Sequence, residues 1–152
     1  MRLSRKLDPS MVLIAPPVAD REALFRRFGE AFADAGLAPS ADEVVARLME
    51  REAILSTGIG SGVAVPHAQI LHLGRLVMAA STHPDGLRYP ALDEQPVRLV
   101  FCLLGDTDTT ADHLAGLARL ARLARRREAL EPLVAAADGA AFVAALAALE
   151  GD

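Results

Sequence analysis

Pro96-Val97-Arg98-Leu99-Val100-Phe101-Cys102-Leu103-Leu104 is apolar at almost every position. A strand with one wet face alternates apolar and polar residues, whereas a strand covered on both faces reads as a continuous apolar run. The stretch therefore predicts a central strand with helices above and below it. Working outward, Gly62 to Ala68 and Arg75 to Thr82 have strand composition, and Met11-Val12-Leu13-Ile14-Ala15 reads as another strand stopped by Pro16-Pro17. The turn-forming stretches His83-Pro84-Asp85-Gly86 and Leu92-Asp93-Glu94-Gln95 predict short connections before the central strand. Helical spacing fills the remainder. Asp20 is placed to cap a helix from Arg21 to Ala35, with Leu24, Phe25, Phe28, Ala31 and Phe32 on one face and Gly36 at the exit. Ser40 with Glu43 is a capping-box pattern opening a helix that carries Val44, Val45, Leu48 and Met49 and is expected to end near Arg51. Leucines and alanines recur at helical spacing from Thr110 to Arg126, Pro132 suits the first turn of a short helix, and Asp138 caps a last helix with Phe142, Val143, Leu146 and Leu149. The expected class is α/β: a mixed β-sheet flanked by helices on both faces, in three layers and in the order β-α-α-β-β-β-α-α-α. Residues 1–152 are expected to form a single domain.

Composition narrows the function. Aromatic residues make up 4% of the 152 residues and tryptophan is absent, which argues against base or sugar stacking. A net charge of −4 gives no electrostatic case for nucleic acid or an anionic membrane. The one cysteine, Cys102, lies inside the apolar run and reads as a buried thiol. The basic start Met1-Arg2-Leu3-Ser4-Arg5-Lys6 is interrupted by Asp8 and Pro9 before any secretory apolar stretch. No apolar run approaches the roughly 20 residues that span a bilayer, so direct membrane insertion is not expected and the expected location is cytoplasmic.

Chemistry concentrates in Ser56-Thr57-Gly58-Ile59-Gly60-Ser61-Gly62-Val63-Ala64-Val65-Pro66-His67. Bare glycine amides approach anions closely, and an imidazole delivered at the end of the run is a base, ligand or nucleophile. Read from the residues alone, Gly58, Gly60 and Gly62 are either a tight turn or a phosphate cradle, with Ser56 and Thr57 as hydroxyl donors. His67 is either a ring satisfying a neighbouring backbone group or a reactive one. Arg51 is either solvated or a guanidinium folded over the loop, suited to a phosphoryl group. His113, after Asp112 at the start of the long helix, is either an exposed first-turn residue or a second holder of phosphate. Ile59, Val63 and Val65 are expected to form an apolar collar that excludes water. Four histidines without a His-x-x-x-His pair do not make a zinc site, and no Gly-x-Ser-x-Gly elbow is present; neither a metal nor a cofactor is expected.

Arg51-Glu52, the run from Ser56 to His67, Pro96-Val97-x-Leu99-Val100-Phe101 and His113-Leu114-x-x-Leu117-Ala118-x-Leu120-Ala121 together resemble the enzyme IIA domains of the mannitol/fructose class of the bacterial phosphoenolpyruvate-dependent phosphotransferase system, a class that includes the nitrogen-regulatory IIA proteins. The resemblance implies that His67 is the phosphorylated histidine, Arg51 the phosphate-binding arginine and His113 the second active-site histidine. It implies a phosphohistidine phosphotransferase that receives its phosphoryl group from the histidine-containing phosphocarrier protein. The group then passes to a IIB domain, or the phosphorylation state controls a regulatory target. Ser61 stands where this family often has asparagine, and Asp93-Glu94 where an Asp-Gly turn is common.

Overall fold

A computed structural model describes residues 1–91 and 93–151. Its elements are α1 (Leu3–Lys6), β1 (Val12–Ile14), α2 (Arg21–Asp34), α3 (Ala41–Ile54), β2 (Gly58–Gly60), β3 (Val63–Ala64), β4 (His67–Gln69), β5 (Val77–Leu87), β6 (Val97–Gly105), α4 (Thr110–Ala124), α5 (Glu131–Val134) and α6 (Gly139–Glu150). The sheet runs β1-β5-β6-β3-β2, with β4 also paired to β6. It is mixed: β1 is parallel to β5, β5 antiparallel to β6, and β3 and β4 are both parallel to β6. This is the α/β class expected from the sequence.

The central run behaves as a strand covered on both faces. Leu99, Phe101 and Leu103 point one way from β6, Val100, Cys102 and Leu104 the other, and all are at most 2% exposed. Phe101 meets Phe142 of α6 with ring centroids 5.9 Å apart, so the first set faces the C-terminal helices. The helix caps also form as expected. Asp20 accepts from the Ala23 amide at 2.9 Å, Ser40 from Glu43 at 3.1 Å and Asp138 from Ala141 at 2.8 Å. Leu24, Phe25, Phe28 and Phe32 of α2 are fully buried, each worth about 1.5–3 kcal/mol of apolar burial.

The order differs from the expected one in three places. A one-turn helix, α1, precedes β1; the amides of Leu3 and Ser4 both donate to the Glu150 carboxylate at 2.7 Å. Contacts 146 and 147 residues away form this turn, and no local pattern announces it. The strand expected from Gly62 to Ala68 is two short strands. Pro66 has no N–H to give, so pairing lapses at Val65-Pro66, yet the register continues from Val63 opposite Leu99 to His67 opposite Leu103. The glycine run itself supplies β2, which forms a hairpin with β3. Helix α3 continues past Arg51 to Ile54. Of the turn expected at 92–95, Leu92 lies outside the described residues; the Asp93 carboxylate accepts from the Gln95 amide at 3.1 Å.

Candidate active site

His67 opens β4 opposite Leu103, and therefore points from the same face of the sheet as Leu103, toward α4. His113 sits on the first turn of α4, and the two imidazoles meet edge to face with centroids 5.2 Å apart. Arg51, on the last turns of α3, closes the third side. The three side chains line one cleft of about 450 Å³, together with Thr110, Ile54 and Leu114. Helix α4 continues directly from a 3-10 turn at Thr107–Thr109, and Thr109 offers it no side-chain cap. The cleft thus combines a guanidinium, two rings and the positive end of a 15-residue helix.

The protonation pattern follows from the contacts. The Nδ1 of His67 lies 2.8 Å from the Val65 carbonyl, which can only accept. Nδ1 therefore carries the proton and Nε2 keeps its lone pair. Burial pushes the His67 pKa below that of a free imidazole; the Val65 bond opposes this, the Arg51 charge adds to it and the Glu52 charge counters it. Burial, reinforced by the His67 ring, takes His113 down to about 4. Both rings are neutral at pH 7, and His67 presents a nucleophilic nitrogen. His113 is 7% exposed, and its Nε2 is, among the described residues, the one buried side-chain N or O atom without a hydrogen-bond partner. Leaving such a group unpaired costs about 1–3 kcal/mol, a cost that an incoming hydrogen-bond partner removes. Arg51 donates to the Leu55 carbonyl at 3.2 Å, which ties its guanidinium to the end of α3 with other N–H groups to spare.

The glycine run does not join this cleft. The Thr57 amide donates to Glu52 at 3.1 Å, the Gly58 amide to the Ser56 hydroxyl at 3.2 Å and the Ser61 amide to Asp93 at 3.0 Å. The Ser56 hydroxyl donates to the Pro90 carbonyl at 2.5 Å, and the Thr57 hydroxyl bonds to Glu52. These donors are engaged by the protein itself. Gly58 is required for close approach, because a Cβ there would lie 2.3 Å from the Pro90 oxygen and 2.8 Å from the Ala91 Cα. Ser61 (φ 59°) and Gly62 (φ 77°) form the two-residue turn between β2 and β3, both in the left-handed region. Gly60 shares that region at φ 90°. The five residues from Ser56 to Gly62 taken as a phosphate loop thus build a hairpin. Gly62 lines a separate cavity of about 270 Å³ beside Arg98 and Glu131.

The expected apolar collar is also elsewhere. Val63 and Val65 are buried in the core, whereas Ile54 is 81% exposed and Leu114 is 62% exposed at the cleft. Their exposure breaks the helical stripe on α3 and α4, a signal the sequence carried. Glu52, a charged residue beside Arg51, continues the buried stripe of Val45 and Leu48 and is itself 5% exposed. A larger groove of about 990 Å³ runs between the start of α2 and residues 85–91 and 94–96; it holds neither histidine nor Arg51. The cleft at His67 is the better site because an unpaired buried nitrogen belongs to it.

The profile of the family "Phosphoenolpyruvate-dependent sugar phosphotransferase system, EIIA 2" matches residues 5–148, and the chain belongs to that family. Among relatives, it is 28% identical over 104 residues to the fructose-specific EIIA component of Haloferax volcanii, covering 68% of each chain. It is 37% identical over 100 residues to a nitrogen regulatory protein of Bradyrhizobium diazoefficiens, covering 66% of this chain and 65% of that one. The nitrogen regulatory protein IIA-Ntr of Neisseria meningitidis superposes with a TM-score of 0.87 at 27% identity, over 95% of this chain and 99% of that one. A complex of mannitol enzyme IIA with phosphorylated enzyme IIB from Escherichia coli superposes with a TM-score of 0.76 over 94% of this chain and 98% of that one; at 20% identity it shows the fold alone. Among the described residues no helix is long and apolar enough to cross a membrane.

Proposed function

We propose that the protein is a phosphocarrier that accepts a phosphoryl group on Nε2 of His67 and passes it on. The observation that carries this reading is the Nδ1–H bond to Val65, which leaves Nε2 unprotonated in a cleft shared with Arg51 and His113. In the forward step a nitrogen–phosphorus bond of the donor breaks as a bond from Nε2 to phosphorus forms in line. The donor ring, with its other nitrogen protonated, departs as a neutral imidazole, and His67 becomes a phosphoimidazolium whose Nδ1–H stays hydrogen-bonded to the Val65 carbonyl, so no proton is transferred. Arg51, the buried Nε2 of His113 acting as N–H donor, and the first amides of α4 bind the equatorial oxygens. The exposed Ile54 and Leu114 give a partner an apolar rim on which to seal the cleft from water. The donor in this reading is the histidine-containing phosphocarrier protein and the acceptor a IIB domain, in the cytoplasm.

A second reading keeps the phosphorylated His67 and replaces transfer by regulation: the added charge changes which target protein binds. The likeness to the nitrogen regulatory proteins of Bradyrhizobium diazoefficiens and Neisseria meningitidis favours it. One experiment tests both. The protein is incubated with phosphoenolpyruvate and the two general phosphotransfer proteins, and an acid-labile adduct is sought. Wild type is expected to label and His67→Ala to fall at least ~1000-fold; equal labelling of the two removes His67 from the mechanism. Loss of the label on adding a IIB domain supports transfer, and retention of it supports regulation.

A further inference from the structure

Glu52 is a buried acid that the transfer step does not use. It follows Arg51 on α3, so its side chain leaves the helix about 100° away, into the interior and not the cleft. Its carboxylate accepts from the Thr57 amide at 3.1 Å, from the Thr57 hydroxyl, and from the Tyr89 hydroxyl at 2.5 Å. The Arg21 guanidinium stands 3.4 Å from it on the outer side. Tyr89 is held between the edge of Phe25, with centroids 6.2 Å apart, and the Arg21 guanidinium at 5.8 Å. A buried carboxylate persists only when donors surround it, so this group fixes the donors as firmly as they fix it.

The bonds continue beyond Thr57. The Val65 amide donates to the Thr57 carbonyl at 2.9 Å, and the Val65 carbonyl accepts from Nδ1 of His67 at 2.8 Å. Glu52, Thr57, Val65 and His67 thus form one connected series across the hairpin, ending on the reacting ring. Pro66 follows directly and restricts the backbone of Val65, so its carbonyl direction depends on how the segment is tethered. The groups facing His67 are Arg51 from α3 and His113 from α4; the Glu52 charge opposes that of Arg51 at the ring.

We propose that Glu52 is a positioning residue for His67. Through Thr57 and Val65 it holds the carbonyl that keeps the ring proton on Nδ1 and leaves Nε2 as the reacting nitrogen. The inference rests on His67 being the phosphoryl acceptor, but its test reads the ring without any phosphoryl donor.

The test is nitrogen-15 NMR of the histidine rings in the full chain. Glu52→Gln preserves size while removing the charge and one acceptor oxygen. The expected result is a folded protein in which the His67 titration midpoint falls and an Nε2–H tautomer becomes visible. Labelling from phosphoenolpyruvate slows about tenfold. A folded variant with wild-type midpoint and tautomer overturns the proposal. Should Glu52→Gln not fold, Thr57→Val deletes the hydroxyl and keeps the amide and the Glu52 charge; the Nε2–H tautomer is again expected to become visible, and an unchanged tautomer overturns the proposal equally. A shifted ring in a chain that accepts no phosphoryl group leaves the positioning role standing and ends the acceptor reading. An unshifted ring in a chain that labels normally does the reverse.

Discussion

The glycine run and the histidine cleft are joined by the four residues Val63 to Pro66, yet they solve different problems. At the run, polar groups are satisfied internally and the glycines are there for backbone geometry. At the cleft, a ring nitrogen is buried with no partner, which folding alone does not favour. Structural sites close their hydrogen bonds, whereas a site prepared for a ligand leaves one open. Two substitutions break the comparison most directly. Arg51→Ala is expected to slow phosphoryl loading ~100-fold, with the unfolding free energy in urea moved by less than ~0.5 kcal/mol; full-speed loading would take Arg51 out of the site. Gly58→Ala is expected to do the opposite. Its new methyl meets the Pro90 oxygen and costs about 2–3 kcal/mol of stability, while the protein that remains folded loads at the normal rate. A loading defect larger than the folded fraction explains would return the run to the active site.

Acid titration sharpens the same contrast. His83, on β5, is buried with Ser81 Oγ 2.7 Å from its Nε2, and burial lowers its pKa to about 4. His113 is lowered to about 4 as well. In each case the unfolded chain binds the proton first, so stability is intact above about pH 6.5 and is lost as pH falls toward 4. Each ring accounts for about 3 kcal/mol of that loss. His83→Asn and His113→Gln should each flatten the curve of unfolding free energy between pH 6.5 and pH 4, and only the second should slow loading. A curve unchanged by His83→Asn would show that its ring titrates normally.

The smallest effect is at the turn. Ser61 occupies the left-handed region at φ 59°, where asparagine is better tolerated. Ser61→Asn is expected to raise stability by about 0.5 kcal/mol, measured by denaturant midpoint, without altering loading.

What could be read from the sequence was local. The caps at Asp20, Ser40 and Asp138, the double-sided strand through Phe101 and the histidine after Pro66 each depend on neighbours a few residues away. The glycine run misled because its geometry is set by Pro90 and Ala91, and the chain brings those residues in from more than thirty positions downstream. Glycine spacing looks the same whether an anion or another stretch of backbone comes close. Glu52 was hidden for a related reason. A charged residue on a buried stripe reads as an interruption until Tyr89 and Thr57 are seen to surround it. The apolar rim at Ile54 and Leu114 was legible only by noticing leucine-like residues on faces that the helical period turns outward.

Cys102, fully buried in the middle strand of the sheet, has its thiol pKa raised by that burial and by the nearby Glu52 charge. As the chain's one sulfhydryl, it is a built-in reporter of opening. A thiol-reactive dye can reach it only after the layers part, so the modification rate follows exposure of the molecule's interior. Partner docking at the rim should therefore slow that reaction only to the extent that it stabilises the whole fold.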